Sequence, residues 1–264
     1  SDLSGPDVKV SQVPLSKGLL EFKDVEFRYP GAERPVLRDI SFSAEPGQFT
    51  AIVGSTGAGK STLVNLIPRF YDVTDGQILL DGVDIRDIPV EDLRARISLV
   101  PQKAFLFRGT VEENLKWGNE NATTEELWHA LEIAQAKEFV MDMAGQLQAF
   151  IDQAGANVSG GQRQRLSIAR ALVKKADVYV FDDCFSALDF KTESLVRSAL
   201  REELKDATVI IVAQRVSSIM DADKIVVLND DGTVAGVGTH DELLKTCRVY
   251  QEIVYSQLSK EEIA

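Results

Sequence analysis

The chain has 264 residues, enough for one large domain or two small ones with a full core, and its 44% apolar and 27% charged content is that of an ordinary globular protein. A net charge of -12 argues against nucleic acid as a main partner, since phosphate backbones are held by clustered Lys and Arg, and it requires any phosphate site here to be positive locally. The two cysteines, Cys184 and Cys247, form no disulfide framework and point to a reducing compartment, and no run approaches the roughly 18 apolar residues of a membrane span.

Residues 1–18 are polar, carry two prolines and show no period, so they read as a linker. Alternation at Leu20, Phe22, Val25, Phe27 and Tyr29 predicts a strand with one slip at Lys23-Asp24. Val36 to Ala44 predicts a second strand, antiparallel to the first and closed by Pro46-Gly47. The apolar run Phe49 to Val53 then passes through Gly54-Ser55-Thr56-Gly57-Ala58-Gly59 into Lys60-Ser61-Thr62 and a helix. Gln77 to Leu80 and Ile97 to Val100 predict further short strands. From 102 to 174 the character is helical, with Thr110–Leu115, Thr124–Ala134, Lys137–Met143 and Gly161–Lys174 forming a candidate subdomain inserted into an α/β core. The continuous apolar run Val178 to Phe181 predicts a buried parallel strand. A helix (Lys191–Leu204), a strand (Thr208–Val212), a helix (Val216–Asp221) and a strand (Lys224–Leu228) follow, an alternation that implies a mostly parallel sheet with helices on both faces. A closing helix, Asp241 to Leu258, carries no recognisable chemistry, and 259–264 reads as a tail.

Strand, glycine loop and helix, in that order, make a phosphate-binding loop. Gly54, Gly57 and Gly59 let backbone N–H groups approach phosphate oxygens, Lys60 offers a point charge, and Ser61 offers a hydroxyl to Mg²⁺. The plain alternative is a glycine turn. Asp182, at the carboxyl end of a buried strand, stands where open α/β sheets place ligands; it either helps to hold Mg²⁺ beside Ser61 or caps the next helix. Ser159-Gly160-Gly161-Gln162 opens a helix with two poor helix formers, which suits a close backbone approach to an anion as well as simple capping. Cys184 reads as a small buried residue at a strand end, and His129 and His240 as structural or surface residues.

Taken together, residues 19 to about 255 closely resemble the ATP-binding cassette (ABC) family, a P-loop NTPase fold with an antiparallel β subdomain and an inserted helical one. GSTGAGKST (54–62) is similar to the Walker A loop, VYVFD (178–182) to Walker B, and Val158-Ser159-Gly160-Gly161-Gln162 to the signature. Ser186-Ala187-Leu188-Asp189 resembles the D-loop, Gln102 in LVPQ the Q-loop, and Tyr29 the aromatic residue that stacks on adenine. The resemblance implies ATP and Mg²⁺ as cofactors, with Gly54 to Thr62 and Tyr29 binding nucleotide and Ser61, Gln102 and Asp182 serving the metal. It also implies head-to-tail pairing, each ATP lying between the Walker motifs of one cassette and Ser159, Gly160, Gly161 and Gln162 of the other. Residues 83–115 resemble exporter half-transporters, in which the cassette (19–258) follows a transmembrane domain and works at the cytoplasmic face of the cell membrane.

Two positions depart from the family pattern. The glutamate that polarises the attacking water is replaced by Asp183, shorter by one C–C bond of about 1.5 Å. The switch histidine is replaced by Gln214, which can donate a hydrogen bond to a terminal phosphate but cannot become cationic. Together they resemble the degenerate-site half of heterodimeric bacterial multidrug exporters, whose intact signature serves the site of a non-identical partner. Residues 151–155, upstream, match only loosely the segment that senses the membrane domain across the dimer. The alternatives are a fully active homodimeric exporter cassette, a soluble ABC protein, and an ATP-gated binding module without hydrolysis.

Overall fold

The computed structural model describes residues 17–263, so the linker expected over 1–18 lies outside the described residues except for its last two. In chain order the elements are β1 (Leu20–Phe27), β2 (Leu37–Ala44), β3 (Phe49–Gly54), α1 (Lys60–Asn65), β4 (Asp75–Leu80), β5 (Val83–Asp84), α2 (Val90–Ala95), β6 (Ile97–Val100), β7 (Gly109–Thr110), α3 (Val111–Lys116), α4 (Thr124–Ile133), α5 (Lys137–Asp142), β8 (Phe150–Ile151), α6 (Gly160–Val173), β9 (Val178–Asp182), α7 (Phe190–Glu203), β10 (Thr208–Val212), β11 (Lys224–Leu228), β12 (Val234–Gly238), α8 (His240–Thr246) and α9 (Arg248–Ile263).

The apolar runs form a six-stranded sheet in the order β12-β11-β3-β10-β9-β6, parallel except for β12. Both faces are buried. Ala51, Val53, Tyr179, Phe181 and Ile211 join a core with the helices from α3 to α7. Ile52, Val178, Val180, Ile210 and Val212 join another with Leu63 and Val64 of α1 and the second sheet, β2-β1-β4-β5. Neither face needs polar residues, which is why these strands read as unbroken apolar runs. In β1 the expected slip is a register shift between Phe22 and Val25, with Asp24 at φ 50.

Caps set the helix starts. Side chains of Thr110, Thr123, Ser159, Asp189 and Thr239 each accept a hydrogen bond from the N–H three residues on. Strand register then fixes where the loops meet. Val212 lies opposite Asp182, Gly54 opposite Leu228, and Val100 opposite Phe181, so β3, β6, β9, β10 and β11 all end along one edge, where such sheets bind ligands.

The structure differs from the sequence expectation in several places. The helix expected over Val216–Asp221 is a single 3₁₀ turn, Val216–Ser218, because Val216 N and the Ser218 hydroxyl bond to Gln257 and Glu193 rather than to their own segment. The closing helix breaks at Cys247, whose backbone is extended, and α9 runs past residue 258. β12, α2 and β5 were not expected. Gly236 and Gly238 hide β12, since glycine carries no strand signal. A Cβ on Gly236 would lie 3.1 Å from Leu243 Cδ2, so α8 packs directly on that backbone.

Candidate functional site

The phosphate loop begins where β3 ends. Ala58 N donates to the Ser55 carbonyl at 3.1 Å, and Gly57 and Gly59 turn the chain with φ of 86 and 99. At Gly59 a Cβ would lie 2.9 Å from Leu37 Cδ2, so a side chain there would push the loop off β2. Lys60 Nζ donates to the carbonyls of Gly54 at 2.6 Å and Ser55 at 3.3 Å. Burial lowers the Lys60 pKa, while the nearby charges of Asp183 and Asp182 oppose that shift. Among the described residues the ammonium donates only to neutral carbonyls, so phosphate oxygens would be stronger partners for it.

Asp182, buried at the end of β9, accepts from the Ser61 hydroxyl at 3.3 Å. Its pKa is raised by burial; the Ser61 bond and Lys60 work against this and Asp183 adds to it. Asp183 is half-buried with φ 47, and its Oδ2 accepts from Gln102 Nε2 at 3.3 Å. Burial raises its pKa too, opposed first by Lys60 and then by Arg215 and the Gln102 bond, while Glu193 adds to the rise. Two adjacent carboxylates, both pushed toward protonation, with a serine hydroxyl on one and an amide on the other, fit a hard cation that takes oxygen ligands. Ser61, Asp182 and Gln102 are the residues that would hold Mg²⁺. Among the described residues no group of three or more His, Cys, Asp or Glu could hold a metal. When bound, Mg²⁺ would neutralise phosphate charge.

Gln214 lies just past the end of β10, exposed, in a cleft of about 520 Å³ shared with Ser55, Thr56 and Lys60. The far wall is α9, through Val249, Glu252, Ile253 and Gln257. The Ser55 hydroxyl donates to Asp230 Oδ1, in the turn after β11. A second device, unforeseen from the sequence, anchors the segment that follows Gln214. Glu193 of α7, 1% exposed, accepts from the Ser218 hydroxyl and pairs with Arg215 at 3.2 Å. Arg215 also donates to the carbonyls of Phe185 at 3.0 Å and Leu188 at 3.3 Å, tying the segment to the loop after Asp183. The signal was present: Glu193, Val196 and Leu200 share one face of α7, so a carboxylate sits in an apolar stripe.

Ser159, Gly160, Gly161 and Gln162 do not line the phosphate-loop cleft. Ser159 and Gln162 close a capping box, Gln162 N donating to Ser159 Oγ at 3.1 Å and Ser159 N to Gln162 Oε1 at 3.0 Å. Their helix holds the loop that leads to Asp189. Ala187 N donates to Gln164 Oε1 at 2.9 Å, and a Cβ on Gly161 would lie 3.2 Å from the Ala187 carbonyl. Asp189 caps α7, and its carboxyl is held below the usual range by the Thr192 N–H and hydroxyl. Tyr29 lies beside α1, its hydroxyl 2.7 Å from Thr62 Oγ1, and meets Phe27 and Tyr71 edge-on. Cys184 is buried and its thiol pushed well above the ordinary value by desolvation, which makes it unreactive. His129 is exposed against Glu203, and His240 hydrogen-bonds the Tyr250 hydroxyl.

Comparison with known proteins agrees with this geometry. A family model described as ABC transporter matches residues 37–186. An uncharacterised ABC transporter ATP-binding protein of Mycobacterium tuberculosis is 50% identical over 258 residues, covering 97% of this chain and 44% of that protein. An ATP-dependent lipid A-core flippase of Chromobacterium violaceum is 43% identical over 255 residues, covering 97% and 44%. The structure of a bacterial Atm1-family ABC exporter with ATP bound superposes with a TM-score of 0.88 at 37% identity, over 92% of this chain and 42% of that one. The chain thus spans about 44% of the length of these curated relatives.

Proposed function

The chain belongs to the ABC transporter family as an ATP-binding domain homologous to those of exporters, and from that premise we propose that it drives export by closing on ATP against a second, non-identical cassette. A linker (1–18) joins the cassette, with its helical subdomain at about 102–174, to a transmembrane domain at the cytoplasmic face of the cell membrane; the tail expected over 259–264 is instead the last turns of α9 as far as Ile263. Gly54 to Thr62 and Tyr29 hold Mg-ATP, with Ser61, Asp182 and Gln102 serving the metal. Ser159, Gly160, Gly161, Gln162 and Asp189 complete the site of the other subunit, which is consistent with their lying away from this chain's own cleft.

The observation that carries the reading is the pair Asp183 and Gln214 beside an intact loop. Asp183 is one bond too short for a water-polarising glutamate, and a misplacement on the order of 1 Å costs roughly a hundredfold in rate. Gln214 keeps a donor for the terminal phosphate without a titratable proton. Such a site retains ATP and turns it over poorly, while the signature supports turnover at the other site. Asp183→Glu with Gln214→His in the full transporter tests this. A rise in hydrolysis assignable to this chain's loop supports the degenerate-site reading; an unchanged rate supports the active homodimer.

A further inference from the structure

The last helix, α9, carries none of the nucleotide-handling residues of the fold, yet it walls the phosphate-loop cleft. Gln257, half-buried on α9, spans the switch segment with both ends of its amide: Oε1 accepts from Val216 N at 2.7 Å, and Nε2 donates to the Gln214 carbonyl. One side chain thereby does what a neighbouring strand would do, at a point just beyond the end of β10 at Val212. The helix itself is fixed, with Tyr250 and Val254 in the core and Gln251 Nε2 donating to the Leu244 carbonyl at 2.6 Å. On the other side, Glu193 holds Arg215 and Ser218. The backbone of residues 214–218 is therefore gripped between α7 and α9, and that grip fixes the point of the backbone from which the exposed Gln214 side chain projects.

We infer that Gln257 is a positioning residue for Gln214, through which the C-terminal helix sets how the switch amide approaches the terminal phosphate. This rests on the reading of Gln214 as a contact to that phosphate, a contact that ATP offers and ADP does not. Gln257 then controls preference for ATP over ADP without touching nucleotide, and a displacement of α9 would release the switch residue.

The test uses the full transporter. Photo-crosslinking of 8-azido-ATP to this chain, competed by Mg-ATP or Mg-ADP, reports the ATP-over-ADP preference of its own loop. Gln214→Ala should reduce that preference by roughly tenfold, the effect of one hydrogen bond to a charged group. Gln257→Met should reduce it by about fivefold with ADP competition unchanged, yet by less than about twofold in the Gln214→Ala background, because residues acting through one contact are not additive. Gln257→Glu keeps the acceptor for Val216 N, loses the donor to Gln214, and should show the same loss as Gln257→Met; it also serves if the methionine variant fails to fold. Equal effects of Gln257→Met in both backgrounds would mark a general structural role and overturn the inference. Loss with Gln214→Ala but none with either Gln257 variant overturns the positioning role alone, whereas no loss with Gln214→Ala removes the phosphate contact and the inference with it.

Discussion

Arg215→Met is the substitution whose cost can be worked most fully from the structure. The Glu193 side chain is 2% exposed and has two close partners, the Arg215 guanidinium at 3.2 Å and the Ser218 hydroxyl. Removing Arg215 leaves a buried carboxylate with one hydroxyl, and breaking such a pair costs about 3–5 kcal/mol. Arg197 Nε stays 3.9 Å from Oε1, too far for a hydrogen bond but close enough to offset part of the charge. The lower end, about 3 kcal/mol, is therefore expected, a large part of the roughly 5–15 kcal/mol that holds a domain together. The carbonyls of Phe185 and Leu188 lose a donor at the same time, so the loop before Asp189 loosens. Urea denaturation should show the midpoint falling with an unchanged slope. Adding Glu193→Gln to Arg215→Met removes the stranded charge and should recover at least about 1 kcal/mol. A loss below about 1 kcal/mol for Arg215→Met, or strict additivity in the double variant, would refute the buried-pair account.

Gly59→Ala forces a side chain onto φ 99 and against Leu37, and should destabilise the chain by about 1–3 kcal/mol and abolish Mg-ATP retention on a filter. Tyr29→Ala, which removes the surface proposed to stack on adenine, should weaken ATP binding by roughly tenfold in calorimetry. Tyr29→Phe loses only the Thr62 bond and should stay close to wild type; equal losses would argue against stacking. Burial pushes the Tyr250 hydroxyl up to about 12 from an ordinary 10.0. The unfolded chain therefore releases this proton first, and the Tyr250 contribution is intact below pH 10 and lost as pH rises toward 12. Stability measured across that window should fall less steeply in Tyr250→Phe.

The parallel strands were legible because both of their faces are buried, and the helix after Ser159 because that serine is a good cap; the caps at Thr110, Thr123 and Asp189 emerged only with the structure. The phosphate loop was legible because its glycines and Lys60 are adjacent in sequence. The segment from Gln214 to Ser218 was not: its shape comes from Glu193, distant by more than twenty residues, and from Gln257, distant by more than forty. No local propensity encodes a turn held from two other helices, so Val216–Asp221 reads as helix and folds as a single 3₁₀ turn. The same long-range bonds bring α9 to the site, although nothing in its sequence marks a role there. Glu193 lay between these cases. Its place in an apolar stripe was readable, but its partners were not.

On the degenerate-site reading proposed above, this chain retains its own ATP while hydrolysis takes place at the loop of the other cassette. The most direct measurement is of the nucleotide recovered from the purified chain after it is loaded with Mg-ATP and left to turn over alone. The account predicts that the bound nucleotide comes back as ATP, with phosphate release appearing only once a complementary cassette is added. Sustained release of phosphate by this chain alone, at a rate comparable with that of the paired complex, would contradict it.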